Sequence, residues 1–182
     1  MKAWKLDLWI ALLALVVSGL TASAALYQSK VFSDQLSATV WPYLSFNATT
    51  DPSSFQLTLE NDGAGPAIVT GAELFLDGKR TPSLARVLKQ VVPEQLPKHG
   101  SFRYSSASIG PGQVIRAGAS ALVVKLVAPN LVARIGGVYP RVAINVYYCS
   151  LLNRCWVVKL HATERPSDVT GQNYPHTTIE PQ

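Results

Sequence analysis

Few residues in this sequence have types and spacing suited to chemistry. Cys149 and Cys155 are its two cysteines, with Ser150 to Arg154 between them. In an oxidising compartment such a pair forms a disulfide, and in a reducing one it stays as two thiols. A zinc pair is disfavoured, because zinc takes about four ligands and no histidine or further cysteine stands near these two in sequence. His99, His161 and His176 are isolated; no two have metal-ligand spacing, and no His-Glu-x-x-His occurs. Such histidines are usually solvated or satisfy a local hydrogen bond. No serine sits in a Gly-x-Ser-x-Gly elbow, and no Ser-x-x-Lys has the context of an acyl-transfer enzyme. Glu60 and Asp62 are the closest acidic pair, but they flank a turn, where carboxylates are solvated rather than arranged as an acid/base couple. The sequence therefore assigns no catalytic residue, no cofactor-binding residue and no metal ligand, and it points away from an enzyme.

Two glycine-rich stretches invite a phosphate-loop reading. A phosphate cradle needs a helix N-terminus after its glycines, whereas β-branched Ile68-Val69-Thr70 follow Asn61-Asp62-Gly63-Ala64-Gly65-Pro66-Ala67. That stretch, like Ile109-Gly110-Pro111-Gly112, reads as a structural turn. Residues 28–163 carry 13 Lys+Arg against 7 Asp+Glu, a net of +6, while residues 164–182 carry one Arg against three acids. The basic residues are dispersed, with no run longer than Lys79-Arg80, so no nucleic-acid stripe is indicated. Anionic headgroups or an acidic partner account for the charge more simply. Trp41, Tyr43, Tyr139, Tyr147, Tyr148 and Trp156 are expected to fill the core rather than line a ligand site. Asn47-Ala48-Thr49 is a glycosylation sequon only in a eukaryotic chain.

The elements that position these residues begin with a membrane segment. Leu8 to Leu26 is a run of 19 uncharged residues, preceded by Lys2, Lys5 and Asp7. As a helix it spans about 28 Å, close to the ~30 Å of bilayer hydrocarbon. A cleaved signal peptide is the competing reading, with Ala22-Ser23-Ala24 as its cleavage site. Against cleavage, the apolar run continues to Leu26 and Tyr27 can anchor at the interface. Both readings keep the lysines inside and send everything after residue 30 across the membrane. The division expected is a cytoplasmic N-terminus (1–7), a transmembrane anchor (8–27), a stalk (28–36), a β-rich domain (37–163) and a disordered tail (164–182), whose three prolines and scarce aliphatics cannot bury enough surface to order themselves.

Within the domain, Ala38 to Phe46 is β-branched and aromatic around Pro42, which fits an edge or bulged strand. Phe55 to Glu60 alternates apolar and polar residues, and Ala67 to Leu76 follows with Gly71 as a bend or bulge, closed by the Asp77-Gly78 turn. Ser83 to Val92 places Leu84, Val87, Leu88 and Val91 on one helical face, with Ser83 as N-cap and Pro93 as stop. Weak alternation at 101–108 and a strongly apolar strand at 120–128 come next, then a connector with a helical turn at Asn130 to Ile135. The segments 138–149 and 155–163 fold about Leu152, which sets Cys149 opposite Cys155, Tyr147 opposite Val157 and Asn145 opposite Lys159. The pattern is all-β, an immunoglobulin-like antiparallel β-sandwich with one short helix, preceded by a transmembrane helix; a small closed barrel is the alternative.

The anchor, Gln35 to Phe46 with its VWPYLSF core, Asn61 to Ala67 (NDGAGPA), and Tyr148-Cys149-Ser150 with Cys155-Trp156 resemble a group of uncharacterised bacterial single-pass membrane-anchored proteins over residues 8 to 160. The resemblance implies an inner-membrane anchor and a periplasmic domain in a Gram-negative bacterium, and it brings no activity, catalytic residue or binding residue. The expectation is therefore a membrane-tethered periplasmic binding or assembly module that contacts another envelope protein through its sheet edge or loops. A periplasmic solute-binding or sensory domain is the alternative, and an envelope enzyme a further one; a closed pocket of clustered polar side chains would favour these. Ser18, Gly19 and Ala22 give the anchor a small-residue face on which two helices can pair, but the sequence leaves the oligomeric state open.

Overall fold

The apolar N-terminal run and the polar residues after it form one continuous helix. In the computed structural model, which describes residues 2–91, 103–127, 139–161 and 165–180, α1 covers Lys2–Thr39. It is long and apolar enough to cross a membrane. Where it passes through its apolar stretch, the hydroxyls of Ser18, Thr21 and Ser23 each donate to the carbonyl four residues back, which satisfies these donors within the helix. Residues Ala38 and Thr39 belong to this helix and not to the first strand, as their β-branched surroundings had suggested. Nothing from Val31 to Thr39 breaks a helix, and it ends just before Trp41-Pro42, where an X-Pro bond disfavours helical backbone.

The chain divides into two units, Met1–Thr39 and Val40–Gln182. The second consists mainly of two antiparallel sheets. Strands β1 (Leu44–Asp51), β2 (Ser54–Asn61), β7 (Ser120–Val127) and β5 (Arg103–Ser106) form the first, in the order β1-β2-β7-β5. The second runs β10-β9-β8-β3-β4, built from β10 (Ser167–Asp168), β9 (Cys155–Lys159), β8 (Val142–Cys149), β3 (Ala67–Leu76) and β4 (Lys79–Arg80), with β6 (Val114–Ile115) also paired to β3. Alternation explains how the sheets face a core. Phe55, Leu57 and Leu59 of β2 join Val69 and Leu74 of β3 and Ile144, Val146 and Tyr148 of β8 in one hydrophobic cluster. Two separate sheets stand where a single closed barrel was the alternative.

Helix α2 (Leu84–Val91) buries Leu84, Val87 and Leu88, and the Ser83 hydroxyl accepts from the Arg86 amide at 3.4 Å, as the capping pattern predicts. The β8–β9 hairpin has the expected register at all three positions: Cys149 opposite Cys155, Tyr147 opposite Val157, Asn145 opposite Lys159. Its cysteines form the disulfide. Register shifts between Val69 and Gly71, at the expected bulge. The turn expected at Asn130 to Ile135 lies outside the described residues.

The tail corrects the sequence reading. Residues 165–180 do not hang free: β10 adds to β9, Ile109 and Ile179 exchange both main-chain hydrogen bonds, and Thr177 bonds both main-chain groups of Ala72. Val169 and Ile179 are buried. Composition misled because it asks whether a segment can order itself. This one docks on sheet edges that already exist and needs only a few anchors. At Gly71 a side chain would run into the Pro175 carbonyl, so this glycine is where the tail crosses β3. Ile179→Ala should lower stability by about 2–4 kcal/mol in urea denaturation, the cost of emptying a core site; a change within about 0.5 kcal/mol is what an undocked tail would give.

Candidate functional site

The glycine-rich turn after β2 is organised by Asn61, whose side chain is buried. Its Oδ1 accepts from the amides of Tyr43 at 3.2 Å and Gly63 at 3.1 Å, and its Nδ2 donates to the carbonyls of Gly65 and Ile115, both at 2.9 Å. All four hydrogen-bonding positions of the amide are thereby used. The Trp41 carbonyl takes the amides of Ala64 and Gly65. A Cβ at Gly63 would collide with the main chain of Trp41, Pro42 and Tyr43, so only glycine lets the turn lie this close. With its N–H groups consumed internally the loop cannot cradle a phosphate, and its role is to fix the entry to β1.

The other residues that sequence singled out are dispersed. Glu60 accepts from Asn47 and Thr58, and Asp62 accepts from the Ser45 hydroxyl at 2.6 Å, so the two carboxylates hold β1 to β2 and do not face a shared proton. His161 bonds the Tyr139 carbonyl at 2.9 Å and His176 the Thr70 carbonyl at 3.0 Å; His99 lies outside the described residues. Tyr148 and Trp156 pack at the core as expected, whereas Trp41 remains 43% exposed, a correction to its expected burial. Burial pushes the Tyr148 phenol far above the usual range, so it stays neutral and accepts from the Leu44 amide at 3.3 Å. Tyr174, in the docked tail, stacks on Tyr147 and places its hydroxyl 3.2 Å from Cys149 Sγ and 3.3 Å from Cys155 Sγ, so the tail covers the disulfide. Among the described residues no three His, Cys, Asp or Glu side chains are grouped to hold a metal ion.

Two clefts among the described residues bear on function. One, of about 550 Å³, contains a polar cluster that periodicity gave no sign of: buried Glu73 accepts from the Tyr147 hydroxyl at 3.0 Å and pairs with Arg80 at 3.4 Å, while Arg80 also donates to Thr177 Oγ1 at 2.7 Å. These groups satisfy one another and latch the tail to β3. Burial first, then the bond to Glu73, pushes the Tyr147 phenol up.

The other cleft, about 350 Å³, opens where the β1 edge of one sheet meets the β9 edge of the other. Leu44, Val158 and Leu160 supply its buried apolar side chains, Tyr139 and Phe46 further walls, Lys159 and Arg165 its cations, and His161 a further polar ring. Among the described residues its strand edges are open. Asp62 donates to the Tyr43 carbonyl, so alternation turns the main-chain groups of Ser45, Asn47 and Thr49 toward β2 and those of Phe46, Ala48 and Thr50 outward. On β9, Leu160 donates to Ile144, which by the same alternation turns Lys159 outward, one pair beyond the end of β10 at Ser167 opposite Val157. No family model matches this chain, and no curated protein matches it.

Two exposed carboxylates give the domain an acid-sensitive component. The Arg141 guanidinium, bonded to both oxygens of Asp77 at 2.8 and 2.6 Å, holds that carboxyl below its ordinary range, and the Thr170 amide does the same for Asp168 at 2.8 Å. A depressed folded value means that the unfolded chain takes up the proton first, near pH 4. The contribution is therefore present above that pH and lost as pH falls through the folded values. In the double variant Asp77→Asn, Asp168→Asn, the thermal midpoint should fall less steeply between pH 5 and 3 than in the parent. Parallel curves would show that these pairs do not sense folding.

Proposed function

We propose that this protein is a membrane-tethered periplasmic binding or assembly module of a Gram-negative envelope, anchored in the inner membrane by α1, which contacts another envelope protein through a sheet edge. The observation that carries the reading is β1. Its eight residues pair with β2 without a register shift and with no other described strand, and its exposed stretch Asn47 to Thr50 contains no lysine and no proline. Edge strands are usually blunted by such residues, by bulges or by cover, and a long bare edge is a template for another chain.

Several features support the rest of the proposal. Lys2 and Lys5, which precede the apolar run within α1, favour a cytoplasmic N-terminus. The Cys149–Cys155 disulfide fits an oxidising compartment. The strand orders β1-β2-β7-β5 and β4-β3-β8-β9 agree with the A-B-E-D and C′-C-F-G arrangement of an immunoglobulin-like sandwich, although the disulfide here joins neighbouring strands instead of bridging the sheets. The sequence resemblance to uncharacterised bacterial anchored proteins points to the same envelope. No catalytic constellation enters this reading.

The test is photocrosslinking in the native host. The full chain carries a photoreactive residue at Ala48, on the outer edge, or at Lys79, the first residue of β4 in the other sheet. One envelope protein trapped reproducibly from position 48 and absent from position 79 is the expected result. Absence of any adduct from position 48, or the same adducts from both, would overturn the proposal.

A further inference from the structure

We infer that the cleft between β1 and β9 is a docking groove for an extended, acidic segment of a partner polypeptide, which adds to β1 as a new strand; this rests on the reading of the domain as an edge-binding module. Hydrogen-bonding capacity comes first. The outward main-chain groups of Phe46, Ala48 and Thr50 have no partner among the described residues, and they span about 14 Å at ~3.4 Å per residue, enough for a segment of five to seven residues. Shape comes second. An added strand alternates its side chains, so one set can rest on the half-buried rings of Phe46 and Tyr139, which lie over the buried Leu44, Val158 and Leu160, while the other points away from this apolar wall.

Charge selects the occupant. Lys159 and Arg165 are exposed at the rim and make no ion pair among the described residues, His161 stands beside them, and no carboxylate is among the described residues that line the cleft. A carboxylate on the incoming segment gains charge-assisted hydrogen bonds there. A second copy of this chain would instead bring the same cations to the same rim. The protein's own C-terminal segment is already engaged elsewhere, since Glu180 bonds Pro82 and Leu84 and Ile179 bonds Ile109.

The probe is a fluorescent nine-residue peptide of alternating valine and glutamate, titrated into the full chain in detergent micelles and followed by anisotropy. It should bind with an affinity that falls as salt rises, and an alternating valine and lysine peptide should not bind. Lys159→Ala with Arg165→Ala should weaken binding at least about tenfold. Ala48→Pro, which removes an outward N–H without touching the β1–β2 ladder, should do the same. Unchanged thermal midpoints show that the variants fold; if Ala48→Pro does not, the Lys159/Arg165 variant decides alone.

Equal binding of the lysine peptide, or indifference to the Lys159/Arg165 variant, would overturn the inference. So would a dimer in sedimentation that Ala48→Pro dissolves, which would make a second copy the occupant, or displacement of the peptide by anionic phospholipid vesicles, which would assign the cations to lipid. If position 48 traps an envelope protein while the acidic peptide fails to bind, the edge reading stands and only the acidic occupant falls; if both fail, both fall.

Discussion

The side-chain amide of Asn61 satisfies four main-chain groups, from Tyr43, Gly63, Gly65 and Ile115, while its own main chain bonds Ala119 and Gly118. Three stretches distant in sequence therefore converge on one buried residue. Buried main-chain donors and acceptors left without partners are costly, and a single asparagine meets four of them at once. This arrangement holds the start of β1 against the β2–β3 turn, and the Tyr148 phenol then takes the Leu44 amide on the far side. With its beginning fixed on both flanks, β1 can run out as a straight strand whose outer edge is open. Each later step toward function depends on that placement.

A second constraint closes the opposite edge of the molecule. The outer side of β3 is covered in turn by β6 at Ala67 and Ile68, by the docked tail near Ala72 and by β4 at Phe75 and Leu76. Arg80, shared between Glu73 and Thr177, and the Tyr147–Tyr174 stack hold the tail in place. Among the described residues, the domain thus protects one sheet edge with its own chain and leaves β1 uncovered. That contrast, more than any pocket, distinguishes an edge available to a partner from one that is simply part of the fold.

What the sequence makes legible follows from how local the determining physics is. Alternation within Phe55 to Glu60, the helical spacing of Leu84, Val87 and Leu88, and the hairpin register of Cys149 and Cys155 depend on residues close in sequence, and all are found as the patterns indicate. The end of α1 was misplaced because β-branched residues before Pro42 look like strand until the preceding helix is seen to continue without a breaker. The docked tail and the bonds of Asn61 were invisible for a different reason. The tail depends on surfaces supplied by segments tens of residues away, and so do the bonds of Asn61 to Tyr43 and Ile115, unlike its local bonds to Gly63 and Gly65; neither a polar tail nor an asparagine before a turn carries a signal of such distant neighbours. The open edge of β1 was likewise illegible, since strand order emerges only when the sheets assemble.

The most direct test of this account is amide hydrogen exchange on the full chain carrying Asn61→Ala, compared with the parent. Removing the amide orphans four main-chain groups and should destabilise the domain by about 2–4 kcal/mol. Protection should be lost first at Tyr43, Gly63 and along β1, with the β8–β9 hairpin less affected. Loss confined to the turn at Gly63, with β1 as protected as before, would show that Asn61 does not position the edge on which the proposed function rests.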